Sequence, residues 1–221
     1  MIHRQGNTNL KSKHDNRSRG VPFLSARENP LAVNRTSSIA FRFAQHDWKF
    51  QLERLRALNF RAAIVGSQGS GKSTLLAELP ERLNEASVQN HFVFLPQIRE
   101  QHQPMLCEAI TLSEQGHVLL VDGIERLSFF QRRDLIKRTR NSAGLIVTQH
   151  HTGKLPTWIK TETTPELMTA VLVDLKLDQP EILAAGEIAF AKHHGNIRNA
   201  LRDLYDQCAA GGFNEILTRV L

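Results

Sequence analysis

Long apolar runs are missing from this sequence, and none approaches the about 20 residues that a membrane span requires. No contact with a membrane is therefore expected. The opening Met1-Ile2-His3-Arg4-Gln5-Gly6-Asn7 has no apolar core region of the kind a secretory signal carries. Cysteine is scarce as well: Cys107 and Cys208 are the only two. That is too few for a disulfide framework or a zinc site. Both are expected as buried or half-buried thiols in a reducing cytoplasm. The pairs His150-His151 and His193-His194 lack metal-ligand spacing and carboxylate companions. The Asn/Thr-Lys-x-Asp signature of guanine recognition is absent too. Its nearest match, Leu175-Lys176-Leu177-Asp178, lacks the first residue and falls in a predicted helix. No internal repeat is found.

What remains is an ordinary globular composition, 41% hydrophobic and 23% charged over 221 residues. That length suits one well-buried domain with a small appendage. The net charge of +6 is unevenly placed. Residues 1–38 carry seven basic and two acidic side chains, which leaves the other 183 residues only one charge from neutrality. This stretch is also rich in Asn, Ser, Arg and Gly, so residues 1–38 are expected to form a disordered basic tail. A solvated tail is its plain reading; nucleic-acid binding is the functional one, and no recognition motif accompanies the charge.

Beyond the tail, Trp48, Leu52, Leu55 and Leu58 have helical spacing and predict a helix over 46–58. Four short apolar runs follow: Arg61-Ala62-Ala63-Ile64-Val65, Phe92-Val93-Phe94-Leu95, Val118-Leu119-Leu120-Val121 and Leu145-Ile146-Val147. Such runs suit strands buried on both faces of a parallel sheet. Helical stretches at 72–84, 104–114 and 126–140 separate them, with Pro80 expected to kink or end the first. Strand alternating with helix implies right-handed βαβ units. Thr157-Trp158-Ile159-Lys160 is a weaker fifth strand. After residue 163 the pattern is helical only, at roughly 165–176, 180–193 and 196–208. Thr164-Pro165-Glu166 reads as a cap, a first-turn proline and a first-turn acid.

Between the first strand and the first core helix lies Gly66-Ser67-Gln68-Gly69-Ser70-Gly71-Lys72-Ser73-Thr74. This is the Walker A pattern, and each residue type has a chemical reason. Glycines let backbone N–H groups turn inward around a β-phosphate. Lys72 brings a mobile positive charge to the β- and γ-phosphates, and Ser73 offers a hydroxyl to Mg²⁺. The helix dipole points at the same anion. The pattern predicts binding of ATP with Mg²⁺.

The run Val118-Leu119-Leu120-Val121 ends on Asp122, the Walker B pattern, which aims a carboxylate at Mg²⁺ beside the P-loop hydroxyl. Hydrolysis needs a further group to orient or deprotonate water. Many P-loop ATPases place a Glu directly after this Asp, but here the position is Gly123. Glu125 is the nearest acid. It is either the water-positioning base or an ordinary first-turn acid of the following helix.

From about residue 60 to 205 the chain resembles the AAA+ and STAND-like branch of P-loop ATPases. The resemblance rests on Gly66–Thr74, on Leu119-Leu120-Val121-Asp122-Gly123 and on Leu145-Ile146-Val147-Thr148-Gln149-His150. It implies a strand lying between the Walker A and Walker B strands whose polar tip, sensor 1, faces the γ-phosphate. Thr148 matches best, with Gln149 and His150 as rivals. It also implies that Arg198, in His194-Gly195-Asn196-Ile197-Arg198, is the sensor 2 arginine of a helical lid. Two departures stand: the adjacent Glu is missing, and 164–210 is shorter than a full AAA+ lid. No arginine finger can be placed, since Arg138 and Arg140 precede the sensor strand.

The expected architecture is an α/β parallel-sheet P-loop NTPase sandwich: a tail over 1–38, a core over 39–163 and a helical lid-like unit over 164–221. The expected activity is Mg²⁺-dependent ATP hydrolysis by Lys72, Glu125, Thr148 and Arg198, driving a conformational switch. An ATP-regulated module that recruits a protein partner, a second copy of itself or nucleic acid is the alternative. A small-molecule kinase is the third reading, without an identifiable acceptor pocket.

Overall fold

The computed structural model describes residues 29–213, apart from Ser37 and Ala44. Its centre is a five-stranded parallel sheet: β1 (Arg61–Gly66), β2 (Asn90–Phe94), β3 (Val118–Asp122), β4 (Gly144–Gln149) and β5 (Thr157–Thr161). The strand order is β2-β3-β4-β1-β5, so β4 lies between β1 and β3, where the resemblance implies a strand. The fifth, weaker run is a true edge strand paired to β1.

Alternation along the strands explains the two-sided core. Ala62, Ile64, Val118, Leu120 and Ile146 face one side, where they pack with α2 (Trp48–Ala57) and α3 (Lys72–Glu85). Ala63, Val65, Leu119, Val121, Leu145 and Val147 face the other, against α4 (His102–Glu114) and α5 (Phe129–Arg138). Both faces are covered, so the strands read as unbroken apolar runs. A separate apolar cluster joins α6 (Pro165–Asp174), α7 (Pro180–Lys192) and α8 (Ile197–Ala209). Thr164 caps α6 by accepting from the Leu167 N–H at 3.2 Å, as its sequence predicts.

Several expectations are corrected. Helix α3 does not end at Pro80 but runs through it to Glu85. Leu76, Leu79 and Leu83 are fully buried around the proline. At roughly 1.5–3 kcal/mol for each such side chain, their burial outweighs a proline penalty of about 3 kcal/mol. The predicted helix over 126–140 is broken. A 3₁₀ turn at Ile124–Arg126 precedes Ser128, whose capping box with Gln131 starts α5. Cys107 is exposed, whereas Cys208 is buried and its thiol pKa is pushed up to about 11. Among the described residues no helix is long and apolar enough to cross a membrane.

The expected tail boundary is also wrong. Residues 1–28 lie outside the described residues, but residues 29–36 are part of the fold, with a short helix α1 (Val33–Thr36). Leu31 is buried in the α6–α8 cluster. The Asn29 side chain donates to the Tyr205 carbonyl at 3.1 Å and accepts from the Leu31 N–H at 2.9 Å. The apolar stretch Leu31-Ala32-Val33 inside a polar segment was the available signal. Replacing Leu31 by Ala should therefore destabilise the protein by about 2–4 kcal/mol, read as a lowered denaturant midpoint. A solvated tail residue would leave that midpoint unmoved.

Candidate nucleotide-binding site

In an open parallel sheet, ligands bind outside the carboxyl ends of the strands. Here the ends of β1, β4 and β3 bring together residues far apart in sequence. Gly66 ends β1, and Gly69 and Gly71 carry φ of +76° and +86°. The loop turns directly into α3, where Gly71 stands at the N-cap and no side chain caps the helix. The N–H groups of the first turn are thus left for an outside acceptor.

Lys72 is buried and folds back on the loop, donating to the Gly66 carbonyl at 2.9 Å and the Ser67 carbonyl at 2.7 Å. Burial lowers its pKa from the ordinary 10.5. Glu125 and then Asp122 oppose that shift, and Arg198 adds to it. Glu125, Asp122 and Arg198 are therefore all within electrostatic reach of the Lys72 ammonium. For Arg198, exposed on the first turn of α8, this is the link to the loop.

Asp122 ends β3, and its Oδ1 accepts two hydroxyls, Ser73 Oγ at 3.1 Å and Thr148 Oγ1 at 2.6 Å. The Thr148 hydroxyl also accepts from the Gly123 N–H at 2.7 Å. Thr148 is buried, and its one proton goes to the carboxylate. Its hydroxyl bonds Asp122, at the strand tip where the resemblance implies a sensor. Of its rivals, Gln149 is buried with an unpartnered Nε2, and His150 turns toward Glu125.

Glu125 sits in the 3₁₀ turn, and its Oε1 lies 3.5 Å from His150 Nε2. Its Oε2 is enclosed and has no hydrogen-bond partner. Helix α5 begins only at Phe129, with Ser128 as its cap. Glu125 is thus an acid of the short 3₁₀ turn and not of the first turn of α5.

Three supports of the loop had no sequence motif. Thr161, at the end of β5 and in register with Gly66, meets the Ser70 hydroxyl at 2.6 Å. Ser70 Oγ donates in turn to the Ser67 carbonyl at 2.8 Å. A Cβ on Gly66 would come within 2.1 Å of Thr161 Oγ1, so glycine is required there. Asn196 caps α8 and packs on Gly69, where a Cβ would meet its Oδ1 at 2.0 Å. The Phe41 ring packs on Gly71, where a Cβ would meet it at 3.3 Å. Ser67 and Gln68 are exposed at the loop tip, and Thr74 is half-buried in α3.

Among the described residues no group of three His, Cys, Asp or Glu side chains could hold a metal ion unaided. Ser73 and Asp122 are nevertheless adjacent oxygen donors, which suits a hard cation completed by ligand oxygens and water. No protein-family model matches this sequence, and no curated protein matches it.

Proposed function

We propose that the chain is a P-loop ATPase of the kind the AAA+ and STAND-like branch represents, binding Mg²⁺-ATP at the carboxyl edge of the sheet. Supporting it most is the meeting of Ser73 and Asp122, 49 positions apart, beside a buried lysine at an uncapped helix start. A merely structural glycine turn would not gather a cation, a hydroxyl and a carboxylate at one point.

In this reading Lys72 leaves the Gly66 and Ser67 carbonyls for the phosphates, while the N–H groups of the loop and first helical turn hold the β-phosphate. Ser73 and Asp122 would hold Mg²⁺, which supplies charge neutralisation on the phosphate oxygens. Thr148 keeps the Asp122 carboxylate turned toward Ser73. Glu125 orients the attacking water and takes its proton, with His150 beside its Oε1. Arg198 approaches from α8, so phosphate charge is felt by the helical unit that also leans on Gly69 through Asn196. ATP, not GTP, is the nucleotide, since no guanine signature exists.

The test is ATP binding with and without Mg²⁺. The unmodified chain should bind more tightly in Mg²⁺, and Asp122→Asn should lose most of that gain while keeping metal-free binding within a few-fold. An unmodified chain that ignores ATP, or binds it identically with and without Mg²⁺, would sink the proposal.

A further inference from the structure

Helix α5 is not used by the nucleotide site, yet its surface is unlike the rest of the molecule. Residues 126–140 hold six basic side chains against one acid. With these fifteen set aside, the other residues beyond 38 carry 15 basic and 19 acidic side chains. Positive charge is thus gathered on α5 and the 3₁₀ turns flanking it, on a near-neutral body.

The helix places this charge in a line. Arg133 and Lys137 share one face of α5 at a spacing of four, Arg140 follows in the 3₁₀ turn Thr139–Asn141 directly after the helix, and all three are exposed. None is paired with an acid among the described residues. Arg140 lies close enough to Arg61 for the two charges to repel. The single acid, Asp134, lies off this line and pairs with Arg138 at 3.9 Å. At the head of the line stand Phe129 and Phe130, which are 65% and 79% exposed. Their rings meet edge to face at 5.7 Å. From Phe129 to Arg140 the chain rises roughly 17 Å, about five nucleotides at 3.4 Å each.

We infer that α5 and the 3₁₀ turn after it bind a single strand of nucleic acid, with Arg133, Lys137 and Arg140 on the phosphates and Phe129 and Phe130 against unpaired bases. Unpaired cations tracking a backbone beside exposed aromatic rings are the two halves of single-strand recognition. A duplex would leave the rings without a base face to stack on. The site does not depend on the nucleotide reading. It does touch that region, because Arg132 Nη2 donates to the Glu125 carbonyl at 3.5 Å and the Leu127 carbonyl at 3.4 Å.

The experiment uses the full chain throughout, so the basic residues before position 29 are constant. Fluorescence anisotropy is followed with labelled oligo-dT, oligo-U and a duplex of equal length over a range of salt. The chain should prefer both single strands to the duplex. Replacing Arg133, Lys137 and Arg140 together by Gln should reduce the salt slope by about 2 and weaken binding about 100-fold near 0.1 M salt. Phe129→Ala with Phe130→Ala should weaken it roughly 10-fold or more while leaving the slope unchanged. Circular dichroism of both variants checks that the helix persists. No binding of single strands by the unmodified chain, equal binding by the Gln variant, or a poly-glutamate peptide competing as well as the oligonucleotides would each overturn the assignment.

Discussion

Replacing Lys72 by Ala should weaken ATP binding by about 10–150-fold, the worth of one charge-assisted contact of 1.5–3 kcal/mol. The side chain does not wait in open space. It is buried and tied to the Gly66 and Ser67 carbonyls, so the loop holds its own cation in place. On the proposed function, an incoming phosphate would replace those carbonyls as acceptor, and the lysine would change partners without changing neighbourhood. Truncation removes that charge and also frees two loop carbonyls, leaving Asp122 and Glu125 without a cation that both of them feel. Stability should therefore fall as well, by roughly 1–3 kcal/mol. Titration calorimetry well below the variant's unfolding midpoint separates the two effects. Unchanged affinity in a folded variant would mean that the glycine-rich loop is not where ATP binds.

What the sequence made legible was whatever depends on local pattern. Strands with both faces covered show as apolar runs, and all five were placed, even the edge strand carrying the buried Trp158. The positions of Lys72, Ser73 and Asp122 followed from one loop and one strand end. The rest needed three dimensions. Thr161 lies 91 residues from Ser70, and only the pairing of β5 with β1 sets it against the loop. Asn196 has an ordinary capping role in its own helix, and nothing local announces that it also covers Gly69. Thr148 was correctly placed at the strand tip, but spacing along a strand does not say whether its hydroxyl is free or bonded to Asp122. That α3 continues past Pro80 could not be read locally, because the burial that carries it through comes from packing on the sheet. Leu31 was misjudged for the converse reason, since a polar neighbourhood concealed one apolar anchor for the α6–α8 cluster.

Glu125→Gln should keep Mg²⁺-ATP binding within a few-fold while hydrolysis falls by roughly 10²–10⁴-fold. One carboxylate oxygen lies 3.5 Å from His150 Nε2, and the other is enclosed without a hydrogen-bond partner. The amide keeps the volume and can still bond His150, but it is too weak a base to take the proton. His150→Ala should lower turnover by a smaller factor with affinity retained, because it removes the support and leaves the base. Had Glu125 been only a helix-end acid, the Gln change would cost at most ~1 kcal/mol of stability and leave turnover intact. Helix α5 itself starts four residues later, so any helix-end effect on Glu125 is confined to the short 3₁₀ turn Ile124–Arg126. Single-turnover hydrolysis under saturating ATP decides the matter, since it isolates the chemical step from binding. Normal turnover in the Glu125→Gln variant would reject Glu125 as the base. Slow turnover in the unmodified chain beside tight binding would instead favour a nucleotide-regulated module, in which Arg198 and Asn196 carry the signal to the helical unit.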